Sequence, residues 1–124
     1  MNTTAQIIPK EQWQQYFNGL SKPYQGWSVT IEDLAGELGD QRAVDGLPFQ
    51  GISYEGKGGS QAGDILVETG DAGTPFETQL IHRPRAVRVS TAQVGRELDI
   101  QIEDEEGMAR VISLRPHAEL PPPS

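Results

Sequence analysis

The sequence predicts a mainly β domain of the α+β class. One N-terminal amphipathic helix packs on about six antiparallel strands, which form a small barrel or a strongly curved sheet. Three observations point there. Fourteen glycines and nine prolines in 124 residues imply a chain that turns often. Apolar residues recur at helical spacing in one short stretch near the N-terminus. From Trp27 onward the dominant period is two, and the chain finishes in a hairpin signature between Leu98 and Leu114.

Residues 1–7 read as a flexible leader. Pro9 then suits a first helical position, where its missing N–H costs nothing. Trp13, Tyr16, Phe17 and Leu20 follow at i, i+3, i+4 and i+7, which places them on one helix face. Such a face docks on a sheet, at roughly 1.5–3 kcal/mol per large side chain buried. Gly19, Pro23 and Gly26 end the helix.

Trp27, Val29 and Ile31 alternate with Ser28, Thr30 and Glu32 as a half-buried strand. Residues 37–40 form a turn, and Gln41 to Val44 begins the second strand. Leu47–Tyr54 is a further extended run. Pro48 assigns it to an edge or a bulge because proline cannot donate to a ladder, and Gly51 shifts its alternation by one. Residues 56–63 are a glycine-rich loop. Short strands follow at 65–68, 76–82 and 86–90, with Pro84 breaking the last two apart, and 93–96 turns the chain. Leu98, Ile100 and Ile102 alternate with Asp99, Gln101 and Glu103. Asp104-Glu105-Glu106-Gly107 makes the turn, and Met108, Arg110, Ile112 and Leu114 share one parity on the return strand.

A single domain over 8–116 is expected, followed by a Pro-rich flexible tail at 117–124. A chain of this length buries roughly two-thirds of its unfolded surface. No cysteine is present, so neither a disulfide nor a Cys-based zinc site is available. The net charge of −8 repels nucleic acid and anionic membranes. No stretch approaches the ~18 apolar residues that span a bilayer. Met1–Gln6 lacks the basic and apolar regions of a signal peptide. A soluble cytoplasmic protein is expected.

The glycine loop lacks the spacing and the Lys-Ser/Thr end of a phosphate-binding loop, and a strand follows it where a helix would be needed. His82 and His117 are the two histidines, and they show no metal-ligand spacing. The acidic run Glu103–Glu106 lacks the alternating ligands and internal glycine of a calcium loop. No nucleophile signature occurs. The expectation is therefore no catalytic residue, no metal and no cofactor.

One segment stands apart. From Thr78 to Arg96 there is no Asp or Glu, yet four of the ten Lys and Arg residues lie there, with His82. Arg88 is explained as an outward residue if its strand pairs with 98–102, which sets it near Asp99 or Gln101. His82, Arg83 and Arg85 flank the break at Pro84 without such an explanation. They are the candidate ligand-binding residues, suited to an anionic metabolite. Nucleic acid is disfavoured, because no aromatic residue lies beyond Phe76 to stack bases.

Four segments carry a family resemblance. These are Ile8–Phe17, Trp27–Glu32, the Leu-Pro-apolar-x-Gly-Ile pattern of Leu47–Tyr54, and the His-x-Pro-x-x-Val pattern of Ile81–Val89. The final hairpin follows them. Together they resemble an uncharacterised family of small bacterial proteins catalogued as a domain of unknown function, across roughly residues 8–115. The resemblance implies a compact single domain and carries no activity, cofactor or catalytic residue. The leading functional expectation is a non-enzymatic binding or accessory module. It would meet a protein partner, or a second copy of itself, at a sheet edge. The alternative is a small-molecule receptor or small enzyme with its site near His82, Arg83 and Arg85.

Overall fold

The computed structural model describes residues 3–35, 39–55, 63–92 and 97–116. The glycine loop at 56–62, the 93–96 turn, His117 and the Pro-rich tail lie outside them. The elements are β1 (Thr3–Ile8), α1 (Trp13–Ser21), β2 (Ser28–Ala35), β3 (Gly39–Glu55), β4 (Asp64–Asp71), β5 (Thr74–His82), β6 (Pro84–Ala92), β7 (Leu98–Asp104) and β8 (Ala109–Arg115). The described strands form one antiparallel sheet in the order β1-β6-β7-β8-β2-β3-β4-β5.

This corrects two expectations. The sheet has eight strands rather than about six, and it does not close into a barrel, because its end strands β1 and β5 do not pair. The leader accounts for one added strand. Thr3–Ile8 pairs along its length with β6, from Thr3 opposite Ala92 to Ile8 opposite Val87. With only Ile7 and Ile8 strongly apolar, that segment is too short to show a period. Ile8 is buried and Ile7 is exposed, as alternate residues of a strand should be.

The sheet curls because two segments bend. β3 pairs with β2 up to Pro48, then with β4 from Phe49 onward. The register of the second pairing shifts between Phe49 and Gly51, so the irregularity falls where Gly51 predicted one. The segments read as separate runs at 41–44 and 47–54 are thus one strand of 17 residues shared by two parts of the sheet. The second bend is at Arg83, the one residue between β5 and β6. Those strands stand at or near opposite ends of the strand order. A single residue reaches only ~3.5 Å, so the two ends of the sheet are held close together.

The inner face of this curved sheet is the core. Val29 and Ile31 of β2, Phe49 and Ile52 of β3, Ile65 and Val67 of β4, and Ile81 of β5 are buried. They meet Val87 and Val89 of β6, Ile100 and Ile102 of β7, and Ile112 and Leu114 of β8. The closing hairpin has the predicted register, with Ile100 opposite Ile112, and Gly107 turns it at φ 88°.

The helix starts later than proline placement suggests. Pro9 precedes a 3-10 turn at Lys10–Gln12, which feeds α1. Trp13, Phe17 and Leu20 are buried in the core and Tyr16 is half-buried, so the predicted face is the packed one. Trp13 and Tyr54 make a T-shaped contact with ring centroids 5.1 Å apart, and the Trp13 indole N–H donates to the Ile8 carbonyl at 2.8 Å. Beyond Pro48, β3 has lost β2 as a neighbour. There the Ser21 hydroxyl accepts from the Ile52 N–H and lies within bonding distance of its carbonyl, both at 3.0 Å. The end of α1 thus supplies polar partners where the ladder stops.

Candidate functional site

Of the three residues singled out at the Pro84 break, His82 and Arg83 stay together and Arg85 stands apart. Arg83 occupies the bend with φ 51°, the left-handed region that costs a non-glycine residue roughly 1–2 kcal/mol. Its carbonyl accepts the Glu105 N–H at 3.0 Å, which ties the bend to the β7–β8 turn. His82 lies opposite Asp64 in the β4–β5 register, and its Nδ1 stands 3.4 Å from the Asp64 carboxylate. Both His82 and Arg83 line a cleft of about 790 Å³. Arg85 does not line it. It sits on the outer surface, with its guanidinium 2.9 Å from Glu103 on β7.

The cleft has the wrong balance for an anion. Asp64, Asp104, Glu105 and Glu106 line it together with His82, Arg83 and Arg110. Asp104 is partly engaged in folding its own turn, where its Oδ1 accepts the N–H groups of Glu106 (2.9 Å) and Met108 (3.0 Å). The acid-free sequence segment therefore acquires its carboxylates from β4 and from the β7–β8 turn.

Arg88 behaves as its strand position requires. It is exposed on β6, opposite Gln101 on β7 and Ile7 on β1. The nearby acids are taken by another residue, since Arg115 lies 3.0 Å from Asp99 and 3.9 Å from Glu97.

Alternation sets Arg110 on the side of Ile112 and Leu114 without naming its partner, which is Asp33. They are register partners on β8 and β2, and both project toward the inner face. The Arg110 Nε stands 3.1 Å from the Asp33 Oδ1, with both side chains about three-quarters covered. The Arg110 Nη1 also donates to the Leu80 carbonyl on β5 at 3.0 Å. A cavity of about 70 Å³ lies between these groups, Ile31 and Ile81. The pair thus ties the edge strand β5 to the body of the sheet. A signal was present, because Asp33 shares the parity of Val29 and Ile31, and Arg110 that of Ile112 and Leu114. Opposite charges at two inward positions indicate a pair.

A shallower groove of about 580 Å³ runs along α1, lined by Gln12, Gln15, Tyr16, Gly19 and Leu20. The Tyr16 hydroxyl is pushed up to about 12, first by burial and then by Tyr24 beside it. That favours a neutral phenol acting as a packing group against the core and Phe17.

Four large apolar residues are exposed among the described residues: Ile7 on β1, Met108 beside the β7–β8 turn, and two that share one strand. Phe76 is 70% exposed and Leu80 is 44% exposed, and both are on β5. Among the described residues that strand has β4 on one side and no strand on the other. Leu80 pairs with Leu66 on β4, yet its carbonyl is bonded to Arg110, so its backbone polar groups face the open side. Thr78, two residues away, presents the same side. Sequence reading passed over this edge, because strand position in a sheet leaves no local pattern.

Among the described residues no helix is long and apolar enough to cross a membrane. No solved structure matches the chain. An uncharacterised protein of Aquifex aeolicus (strain VF5) is 33% identical over 117 residues, covering 94% of this chain and 97% of that protein. A family model described as a family of unknown function, DUF5335, matches residues 4–123, in agreement with the resemblance carried by the four segments and the hairpin. The chain belongs to the DUF5335 family.

Proposed function

We propose that this domain is a non-enzymatic binding module that engages protein through the open edge of β5. The observation that carries this reading is an edge strand bearing two exposed large apolar side chains, Phe76 and Leu80. Proteins ordinarily blunt such an edge with charge, with proline or by covering it. Here Arg110 covers one carbonyl, and Pro75 lies at the irregularity where β5 leaves register with β4. The stretch from Phe76 to Thr78 keeps its backbone groups available for strand addition.

Thr78→Pro tests the reading, because it removes an edge N–H without removing a β4–β5 ladder bond. The wild type and this variant are compared by light scattering and as bait for associated proteins, with circular dichroism verifying the fold. Self-association or a bound protein lost specifically in the variant is the expected result. A monomeric wild type with no partner sensitive to Thr78→Pro would sink it.

The second reading rests on the cleft at the bend, whose volume of about 790 Å³ is that of a small-molecule site. Four lining carboxylates favour a cationic ligand over an anionic metabolite. A thermal-shift screen with amines and with phosphates separates the two charge classes. A phosphate-induced shift abolished by Arg83→Ala would restore the anion site.

A further inference from the structure

Resting on the reading of β5 as a binding edge, we infer that its partner is a second copy of the same chain, with the two β5 strands antiparallel about a two-fold axis at Thr78. The argument is one of self-complementarity. A two-fold axis joining two antiparallel strands pairs each residue with one equally far on the other side of the axis.

With the axis at Thr78, Phe76 falls opposite Leu80 of the second copy, and Leu80 opposite its Phe76. The two most exposed apolar side chains on this strand therefore cover one another twice. Glu77, the one acidic residue of β5, falls opposite Gln79. The basic end of the strand, His82 and Arg83, approaches the β4–β5 turn of the second copy, where Asp71 is exposed. That local attraction opposes the repulsion expected between two chains of net charge −8.

Neighbouring registers lose these features. An axis at Glu77 sets two carboxylates against each other. An axis at Phe76 pairs the two phenyl rings but sets Leu80 opposite Ala72, in the turn of the second copy. The backbone agrees with Thr78 as well. Thr78 and Leu80 present their N–H and C=O groups to the open side, so Thr78 would exchange both bonds with its symmetry mate. The Leu80 carbonyl has a second lone pair beyond the one that Arg110 uses.

The chain contains no cysteine, which permits a direct test of the register. In a hydrogen-bonded antiparallel pair the Cα atoms lie about 5.5 Å apart, within the span of a disulfide. Thr78→Cys is therefore expected to cross-link to a covalent dimer under mild oxidation. Glu68→Cys, on the adjacent strand and exposed, is expected to remain monomeric on reducing-free gels. Wild-type protein is expected to show twice the monomer mass by light scattering. Phe76→Lys, which changes both symmetry-related contacts, is expected to weaken the dimer about tenfold.

A wild type that stays monomeric while a different protein binds in a Thr78→Pro-sensitive manner overturns the second copy and leaves edge binding standing. A monomer with no such partner overturns both. A dimer that tolerates Phe76→Lys and gives no Thr78→Cys cross-link overturns this surface as the interface.

Discussion

β5 and β6 are two strands of nine residues joined by one, yet they hold opposite places in the sheet. From Val87 to Thr91, β6 has β1 on one side and β7 on the other, so the N–H and C=O groups there have strand partners available. Among the described residues β5 has β4 on one side, and on the other the Arg110 guanidinium reaching Leu80. Val87 and Val89 of β6 are buried, while Phe76 and Leu80 of β5 are exposed. Composition does not predict this, since the more aromatic strand is the more exposed one. The difference arises at Arg83, where the chain leaves one end of the strand order and enters near the other. Environment in a sheet belongs to strand order, and a one-residue bend is enough to reassign it.

The sharpest way to break the comparison is to place proline at an exposed position of each strand. Arg88→Pro removes a ladder bond in an interior strand and is expected to cost about 3 kcal/mol, visible as a large fall in the urea midpoint. Thr78→Pro, facing the open side, is expected to cost about 1 kcal/mol. Equal losses would mean that the β5 edge is not open. Next in size is Gly70→Ala. Gly70 sits at φ 121° on β4, and a Cβ there would lie 2.6 Å from the Pro75 carbonyl oxygen and 2.7 Å from the Phe76 Cα. A loss of about 2–3 kcal/mol is expected, together with faster amide exchange in β5 than in β6.

Arg110→Ala probes the tie between β5 and the sheet. It leaves the Asp33 carboxylate largely covered and unpaired, at an expected cost of about 2 kcal/mol. Asp33→Leu combined with Arg110→Met should recover most of that cost in chemical denaturation, because replacing both partners leaves no orphaned charge. The smallest effect belongs to Arg85→Ala. Its pairing with Glu103 is solvent-exposed, and the variant should unfold within about 0.5 kcal/mol of the wild type.

Much of this was legible residue by residue. The face of Trp13, Phe17 and Leu20, the irregularity at Gly51 and the hairpin register of Ile100 with Ile112 all follow from local period and turn chemistry. The Thr3–Ile8 strand was not legible, because a six-residue segment at the margin of the sheet is specified by its partner on β6. The candidate site divides in the same way. Arg88 sits outward beside Gln101, as alternation implied. Arg85 was grouped with His82 and Arg83 by sequence proximity. It parts from them because it lies past the bend, on the outer surface beside Glu103.

The acid-free stretch from Thr78 onward is a fact of sequence, but an acid-free site is not. Asp64, Glu103, Glu105 and Glu106 reach that region from other strands and turns, and they change its charge. By itself the sequence determined which side chains share a helix face or a strand parity, because those depend on neighbours within a few residues. The tertiary structure decided which strand is an edge, which arginine meets which carboxylate, and where two apolar side chains remain uncovered. Those depend on strands distant in the chain, which the bends in β3 and at Arg83 bring together.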